Sequence, residues 1–239
     1  MNALLLRLLR VISPERWGTA FVGGGDFEAV GREFLDLFQR FGLQPDHDVL
    51  DVGCGVGRMA VPLSGFISSG SYVGIDVSAD AIALCRKRVT RENFKFVHAD
   101  LYNSLYNKGG QRAADYRFPF ADRSFDFIVL CSVFTHMLRD EVEHYLAEIA
   151  RVMRNDATCF ITWFVIDGRL PSPSITFQPL DDVSFIRKRR VPAAAVAYKA
   201  DFVTGLYARN GLRPALHVGT WARPRGLTFQ DVVVARKSR

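Results

Sequence analysis

Apolar residues along this chain fall into two kinds of run, and their alternation sets the expected fold class. Phe27, Val30, Phe34, Phe38 and Phe41 recur at three- and four-residue steps, which predicts an amphipathic helix stopped by Gly42 with Pro45 beyond it. Residues 48–52 then read as a short buried strand. A helix beginning near Gly57 contains Pro62, so it should be kinked or short there. Residues 72–75 form a second apolar strand ending in Asp76. Ser78 can cap the next helix, whose inward side carries Ile82, Cys85 and Val89. A third strand, 94–97, runs into His98-Ala99-Asp100. The polar stretch 102–117, with Gly109-Gly110, reads as a loop or insertion. Residues 125–131 are a continuous apolar run suited to burial on both faces. Val142, Leu146, Ile149, Ala150 and Met153 mark a helix over 140–153, and 158–166 form a fifth strand rich in aromatic and β-branched residues.

Strands alternating with helices call for an open, mainly parallel sheet with helices on both faces. In such sheets ligands sit beyond the carboxyl ends of the strands. The polar residues closing the first four strands, Asp51, Asp76, Asp100 and Cys131-Ser132, should therefore line one crevice. The remainder of the chain behaves differently. Residues 167–192 show no clear period and carry the run Arg187-Lys188-Arg189-Arg190, which reads as a cap or lid. Phe202, Val203, Leu206 and Tyr207 mark a helix stopped by Asn210-Gly211. Two strands, 212–218 and 227–235, flank a turn-like spacer and should pair antiparallel. The whole reads as a single domain over 1–239. It divides into an N-terminal extension (1–25), a cofactor-binding core (26–166), the cap (167–198), and a C-terminal helix and strand pair (199–239).

Composition narrows this only slightly. Hydrophobic residues make up 49% and charged residues 23% of the 239 positions, ordinary values for a soluble globular chain. The net charge of +6 permits contact with nucleic acid, acidic metabolites or anionic lipid without choosing among them. Cys54, Cys85, Cys131 and Cys159 fall singly in apolar segments, the pattern of packed thiols in a cytoplasmic protein, and neither Cys nor His shows metal-ligand spacing. The leucine-rich start, 1–12, is interrupted by Arg7 and Arg10 and makes a poor signal peptide. It suits a helix docked on the domain, or one resting on a membrane surface.

The chemistry concentrates at Asp51-Val52-Gly53-Cys54-Gly55-Val56-Gly57-Arg58. Glycines at this spacing let the backbone turn sharply and let a ligand approach the main chain. A dinucleotide fold wants G-x-G-x-x-G, but Arg58 occupies the third glycine's place and Gly57 comes one residue early. Asp51, just ahead of the turn, suits a ligand ammonium better than a pyrophosphate.

With these residues the chain resembles the class I S-adenosylmethionine-dependent methyltransferases, over roughly residues 26–166. The turn Asp51–Gly57 looks like the family's first motif, which holds the methionine part and involves Gly53, Cys54, Gly55 and Gly57. Gly74-Ile75-Asp76-Val77-Ser78 looks like the second, where the acid accepts from the ribose hydroxyls. His98-Ala99-Asp100-Leu101 looks like the adenine site. Phe120-Ala121-Asp122-Arg123-Ser124-Phe125-Asp126-Phe127 looks like the fourth-strand signature, with Cys131 and Ser132 at the amino-acid end. The resemblance implies a Rossmann-like, doubly wound, mainly parallel seven-stranded sheet with an antiparallel C-terminal strand pair, and S-adenosyl-L-methionine as cofactor. Where the family usually carries a Pro-Gly-Gly-type turn, this chain has Arg154-Asn155-Asp156-Ala157, residues that tolerate turn conformations.

The expected reaction is metal-independent methyl transfer to a small-molecule acceptor, at a hydroxyl oxygen of a natural product, saccharide or lipid-linked metabolite. His136, just past the fourth strand, is the candidate base; the competing reading is a histidine that bonds the backbone and closes the pocket. The Asn- or Asp-Pro-Pro-aromatic motif of amino-group methylation is replaced by Cys131-Ser132-Val133-Phe134, and no acid stands there for a magnesium ion. Two other readings stay open: an RNA methyltransferase, suggested by the basic run, and a non-catalytic S-adenosylmethionine-binding partner protein.

Overall fold

The computed structural model describes residues 26–103, 109–168 and 173–237, so the leucine-rich start and its expected surface contact lie outside the described residues. In chain order the elements are α1 (Phe27–Arg40), β1 (Val49–Val52), α2 (Ala60–Phe66), β2 (Tyr72–Asp76), α3 (Ala79–Arg88) and β3 (Phe94–His98). There follow β4 (Phe125–Leu130), α4 (Arg139–Val152), β5 (Met153–Trp163), β6 (Val165–Ile166), β7 (Gln178–Pro179), β8 (Ser184–Ile186), β9 (Val196–Lys199), α5 (Ala200–Arg209), β10 (Leu212–His217) and β11 (Asp231–Lys237). The main sheet has seven strands in the order β10-β11-β5-β4-β1-β2-β3. The five strands from β5 to β3 run parallel, and β11 pairs antiparallel with both β5 and β10.

Each helix sits where its apolar stripe is used. Asp26 caps α1, its carboxylate accepting from the Ala29 N–H at 2.7 Å. Phe38 of α1 packs edge-on against Phe160 of β5, ring centroids 5.1 Å apart, and Phe34 and Phe41 contact the same ring. A Cβ at Gly31 would stand 2.6 Å from the Arg58 carbonyl oxygen, so only glycine lets α1 lie this close to the start of α2. Helices α1, α2 and α3 cover one face of the sheet with Leu37, Phe38, Leu63, Ile82 and Cys85. Helices α4 and α5 cover the other with Val142, Leu146, Ile149, Leu206 and Tyr207. Both faces of β1 and β4 are thereby buried, as their unbroken apolar runs require.

Four expectations need correction. The helix after the glycine turn is short, as expected, at seven residues, but it starts at Ala60 rather than near Gly57; Pro62 falls in its first turn, where a missing N–H costs little. The fifth strand does not continue to Ile166: β5 ends at Trp163, and Val165–Ile166 leave the main sheet to pair with β9. The cap segment builds a second sheet, in the order β6-β9-β8-β7, over a small cluster of Phe164, Ala195, Ala197, Trp221 and Ala222. The last strand begins only at Asp231, and residues 227–230 curl over the sheet's carboxyl end. Asp156 takes φ 62 inside β5, ahead of its buried part, where an acid with a short side chain tolerates the left-handed conformation.

Candidate cofactor and acceptor site

After β1 the backbone passes through Gly53 (φ 79), Gly55 (φ 54) and Gly57 (φ 85), conformations that L side chains rarely adopt. A Cβ at Gly53 would lie 2.4 Å from Val133 Cγ2, so the turn also presses against the segment after β4. The N–H groups of Gly53 and Cys54 donate to the Ile75 carbonyl at 2.7 and 3.1 Å, which ties the turn to the end of β2. Gly55 N–H donates to one oxygen of Asp76 and Ser78 N–H to the other, each at 2.8 Å. Burial raises the Asp76 carboxyl above its ordinary value, against the lowering effect of the backbone donors from Ser78 and Gly55 and of nearby His98. A carboxylate offers about four lone-pair sites, so two N–H donors leave room for a diol.

Gly53, Gly55, Asp76, Val77, Leu101, Cys131, Ser132 and His136 share the wall of one cavity of about 980 Å³. Four expected cofactor residues do not reach that wall. Asp51 is only 1% exposed and accepts from the Tyr72 hydroxyl at 2.6 Å; burial pushes its carboxyl up to about 7. The Cys54 sulfur lies beneath the turn, where a Cβ at Gly74 would come within 2.9 Å of it. Gly57 serves the backbone, with the Cys85 sulfur 3.1 Å from where its Cβ would stand. Asp100 is exposed outside the cavity, its carbonyl accepting from Gln111 N–H at 3.0 Å beside Gly110. These residues shape the turn and its support rather than the cavity surface.

At the other end of the crevice Ser132 holds φ 59, an uncommon value for a residue with a side chain. Its N–H donates to Thr162 Oγ1 at 2.7 Å and its hydroxyl to Gln230 Oε1 at 3.1 Å. Gln230 Nε2 in turn reaches Thr135 Oγ1 at 3.5 Å. Burial drives the Cys131 thiol well above its usual value, which keeps it protonated. His136 Nδ1 stands 2.9 Å from the Ala193 carbonyl oxygen. A carbonyl only accepts, so Nδ1 carries the hydrogen and Nε2 keeps a lone pair in the neutral ring. Burial lowers the His136 value, and the Ala193 carbonyl opposes this.

Sequence reasoning missed much of the opposite wall. Val30, Phe34, Leu37 and Arg40 of α1 line the cavity, with Tyr145, Thr162 and Phe229. Helical spacing marks one face of α1 without saying whether protein or ligand covers it. Thr162 and Gln230 meet Ser132 through strand pairing, for which no local signal exists. Among the described residues no group of three or more His, Cys, Asp or Glu is placed to hold a metal ion, and no helix is long and apolar enough to cross a membrane.

A glycine turn, an acid at the end of β2 and a crevice at the carboxyl ends of a doubly wound sheet together define a nucleoside-cofactor fold of the methyltransferase type. Residues 50–161 match the family model described as a methyltransferase domain. Over this segment, just under half of its length, the chain is similar to S-adenosylmethionine-dependent methyltransferases. It is 34% identical over 146 residues to Methyltransferase GfsG of Streptomyces halstedii, covering 60% of this chain and 47% of that protein. It is 28% identical over 130 residues to a fatty-acid O-methyltransferase of Mycolicibacterium smegmatis, covering 53% and 42%. The chain thus spans less than half the length of these curated relatives. The crystal structure of an S-adenosylmethionine-dependent methyltransferase from Methanosarcina mazei superposes with a TM-score of 0.58 at 19% identity, over 84% of this chain and 97% of that one, which shows the shared fold.

Proposed function

We propose that this protein transfers the methyl group of S-adenosylmethionine to a hydroxyl oxygen of a small-molecule acceptor, such as a natural product, saccharide or lipid-linked metabolite, by direct displacement without a metal. One observation carries the reading: a single cavity of about 980 Å³ runs from the glycine turn and Asp76 past His136 to the apolar side of α1. That is near the upper end of the range for small-molecule sites, roughly 300–1,000 Å³, and leaves room for an acceptor beside a nucleoside. The mycolicibacterial relative is a fatty-acid O-methyltransferase, which supports oxygen as acceptor atom and an apolar acceptor body. The free state of Cys54, Cys85, Cys131 and Cys159 supports the cytoplasm as the compartment.

The residues fit the cofactor in their donor chemistry. Asp76 would accept from the ribose hydroxyls, Val77 and Leu101 would flank the adenine, and the backbone at Gly53, Gly55 and Cys131–Ser132 would surround the amino-acid end. The cofactor brings a methyl group activated on a sulfonium, so alignment is most of what the protein must add, worth up to roughly 7–11 kcal/mol in favourable cases. His136, neutral and with Nε2 free to accept, takes the acceptor's hydroxyl proton as the oxygen attacks. Titration calorimetry tests the cofactor assignment: S-adenosylhomocysteine should bind and NAD should give no heat. Binding of NAD alone would sink it. Transfer of labelled methyl into fractionated cell extract identifies the product.

A further inference from the structure

We infer that the acceptor carries an anionic group, phosphate or carboxylate, remote from the oxygen that is methylated and held by Arg40, Arg213 and Arg236. This rests on the methyltransferase reading and adds a substrate class to it. A second hollow, of about 410 Å³, lies between the carboxyl end of α1 and the outer strands β10 and β11. Arg40, Phe41, Arg213, Ala215, His217, Val234 and Arg236 line it, and no acid does. Arg40 also lines the large cavity, so the two spaces meet at its side chain.

Folding alone does not account for this cluster. Arg213 and Arg236 are direct cross-strand partners in the antiparallel pair, on the sheet face that looks into the hollow. Like charges opposite one another in neighbouring strands destabilise a sheet. Among the described residues none of Arg40, Arg213 and Arg236 forms an ion pair with an acid, and all three are exposed. Arg154 of β5, in the same sheet, by contrast bridges Asp48 and Asp126. An anion between the guanidinium groups removes the repulsion and gains paired N–H donors, the geometry arginine offers to phosphate and carboxylate.

The route from the crevice is also present. Val30, Phe34, Leu37 and Arg40 follow one another on one face of α1, spanning about 15 Å along its axis at 1.5 Å per residue. An elongated acceptor can lie with its apolar body on Val30, Phe34 and Leu37 and its charged end at Arg40. Glu33 and Asp36 also border the large cavity, which leaves the hollow as the end that favours an anion.

The test uses the full chain saturated with S-adenosylhomocysteine and titrated at low ionic strength with octyl phosphate, 1-octanol and inorganic phosphate. Octyl phosphate should bind at least about tenfold more tightly than 1-octanol, the gain expected of charged hydrogen bonds. The double variant R213A/R236A should lose that preference while keeping its affinity for S-adenosylhomocysteine, and R213K/R236K should retain part of it. Equal binding of octyl phosphate and octanol, or an undiminished preference in R213A/R236A, would overturn the inference. Inorganic phosphate binding as tightly as octyl phosphate would overturn it too, because the anion site would then be separate from the acceptor. Failure of S-adenosylhomocysteine to bind the parent chain strikes the methyltransferase reading instead, and is seen before any anion is added.

Discussion

His136 is oriented by a backbone carbonyl, not by an acid, and that decides how it should behave. With Nδ1 committed to Ala193 and burial lowering its value below the ordinary 6.5, the ring is neutral at pH 7. His136→Ala should reduce kcat by about 100-fold or more, the scale of general-base effects, with S-adenosylhomocysteine affinity unchanged; intact turnover in this variant returns the residue to a structural role. The kcat profile should fall on the acid side, below 6.5, as the ring takes up a proton. Asp51 makes the opposite case. Its folded value of about 7 lies above the ordinary 3.8, so the folded state holds the proton more tightly. The resulting stability is complete below pH 3.8 and is lost as pH rises through about 7. Between about pH 5 and pH 8 that loss is on the order of 2–3 kcal/mol. Asp51→Asn, neutral throughout, should flatten that dependence in urea titrations; an unchanged slope with pH would show that another group carries it. The sequence marks Asp51 as functional through its place before a glycine turn, but it does not reveal that Tyr72, twenty-one residues on, meets it with a hydroxyl.

At the scale of elements, the glycine turn and the loop before β11 hold the crevice from its two sides. Gly53→Ala forces a side chain into φ 79 and a Cβ within 2.4 Å of Val133. Affinity for S-adenosylhomocysteine should drop by more than tenfold, at a stability cost of about 1–3 kcal/mol. Asp231 is fully buried at the start of β11 and accepts from Val165 N–H, Gly219 N–H and Trp221 Nε1–H at 2.8, 2.8 and 2.6 Å. Asp231→Ala strands these donors and should cost about 3 kcal/mol or more in chemical denaturation; a loss under 1 kcal/mol would mean water replaces the carboxylate. The first four strands of the main sheet were legible because each is a largely apolar run closed by a polar residue. The small sheet was not, since β6, β7 and β8 are only two or three residues long and cannot display an alternation. Residues 227–230 failed for a related reason: a loop that covers a ligand site resembles the strand it leads into.

For the molecule as a whole, fold class and the glycine-turn wall of the crevice could be read from ordered motifs, whereas the opposite wall depends on contacts between segments distant in sequence. Phe34 and Phe160, which meet edge-on, are an instance. Cofactor binding should be visible as global stabilisation: S-adenosylhomocysteine at about a hundred times its Kd adds roughly 2.7 kcal/mol and raises Tm, and NAD leaves it unmoved. The break between β5 and β6 has its own consequence for how the chain comes apart. Trp163 is buried in the main core against Phe134, Tyr198 and Tyr207, while its neighbour Phe164 is buried in the small one against Phe177 and Trp221. The same alternation recurs at Ala197 and Tyr198 in β9. Two consecutive residues cannot leave separate cores independently, so both cores belong to one cooperative unit. Amides of β9 should therefore exchange with solvent at the same free energy of opening as amides of β4, with no early release of the cap.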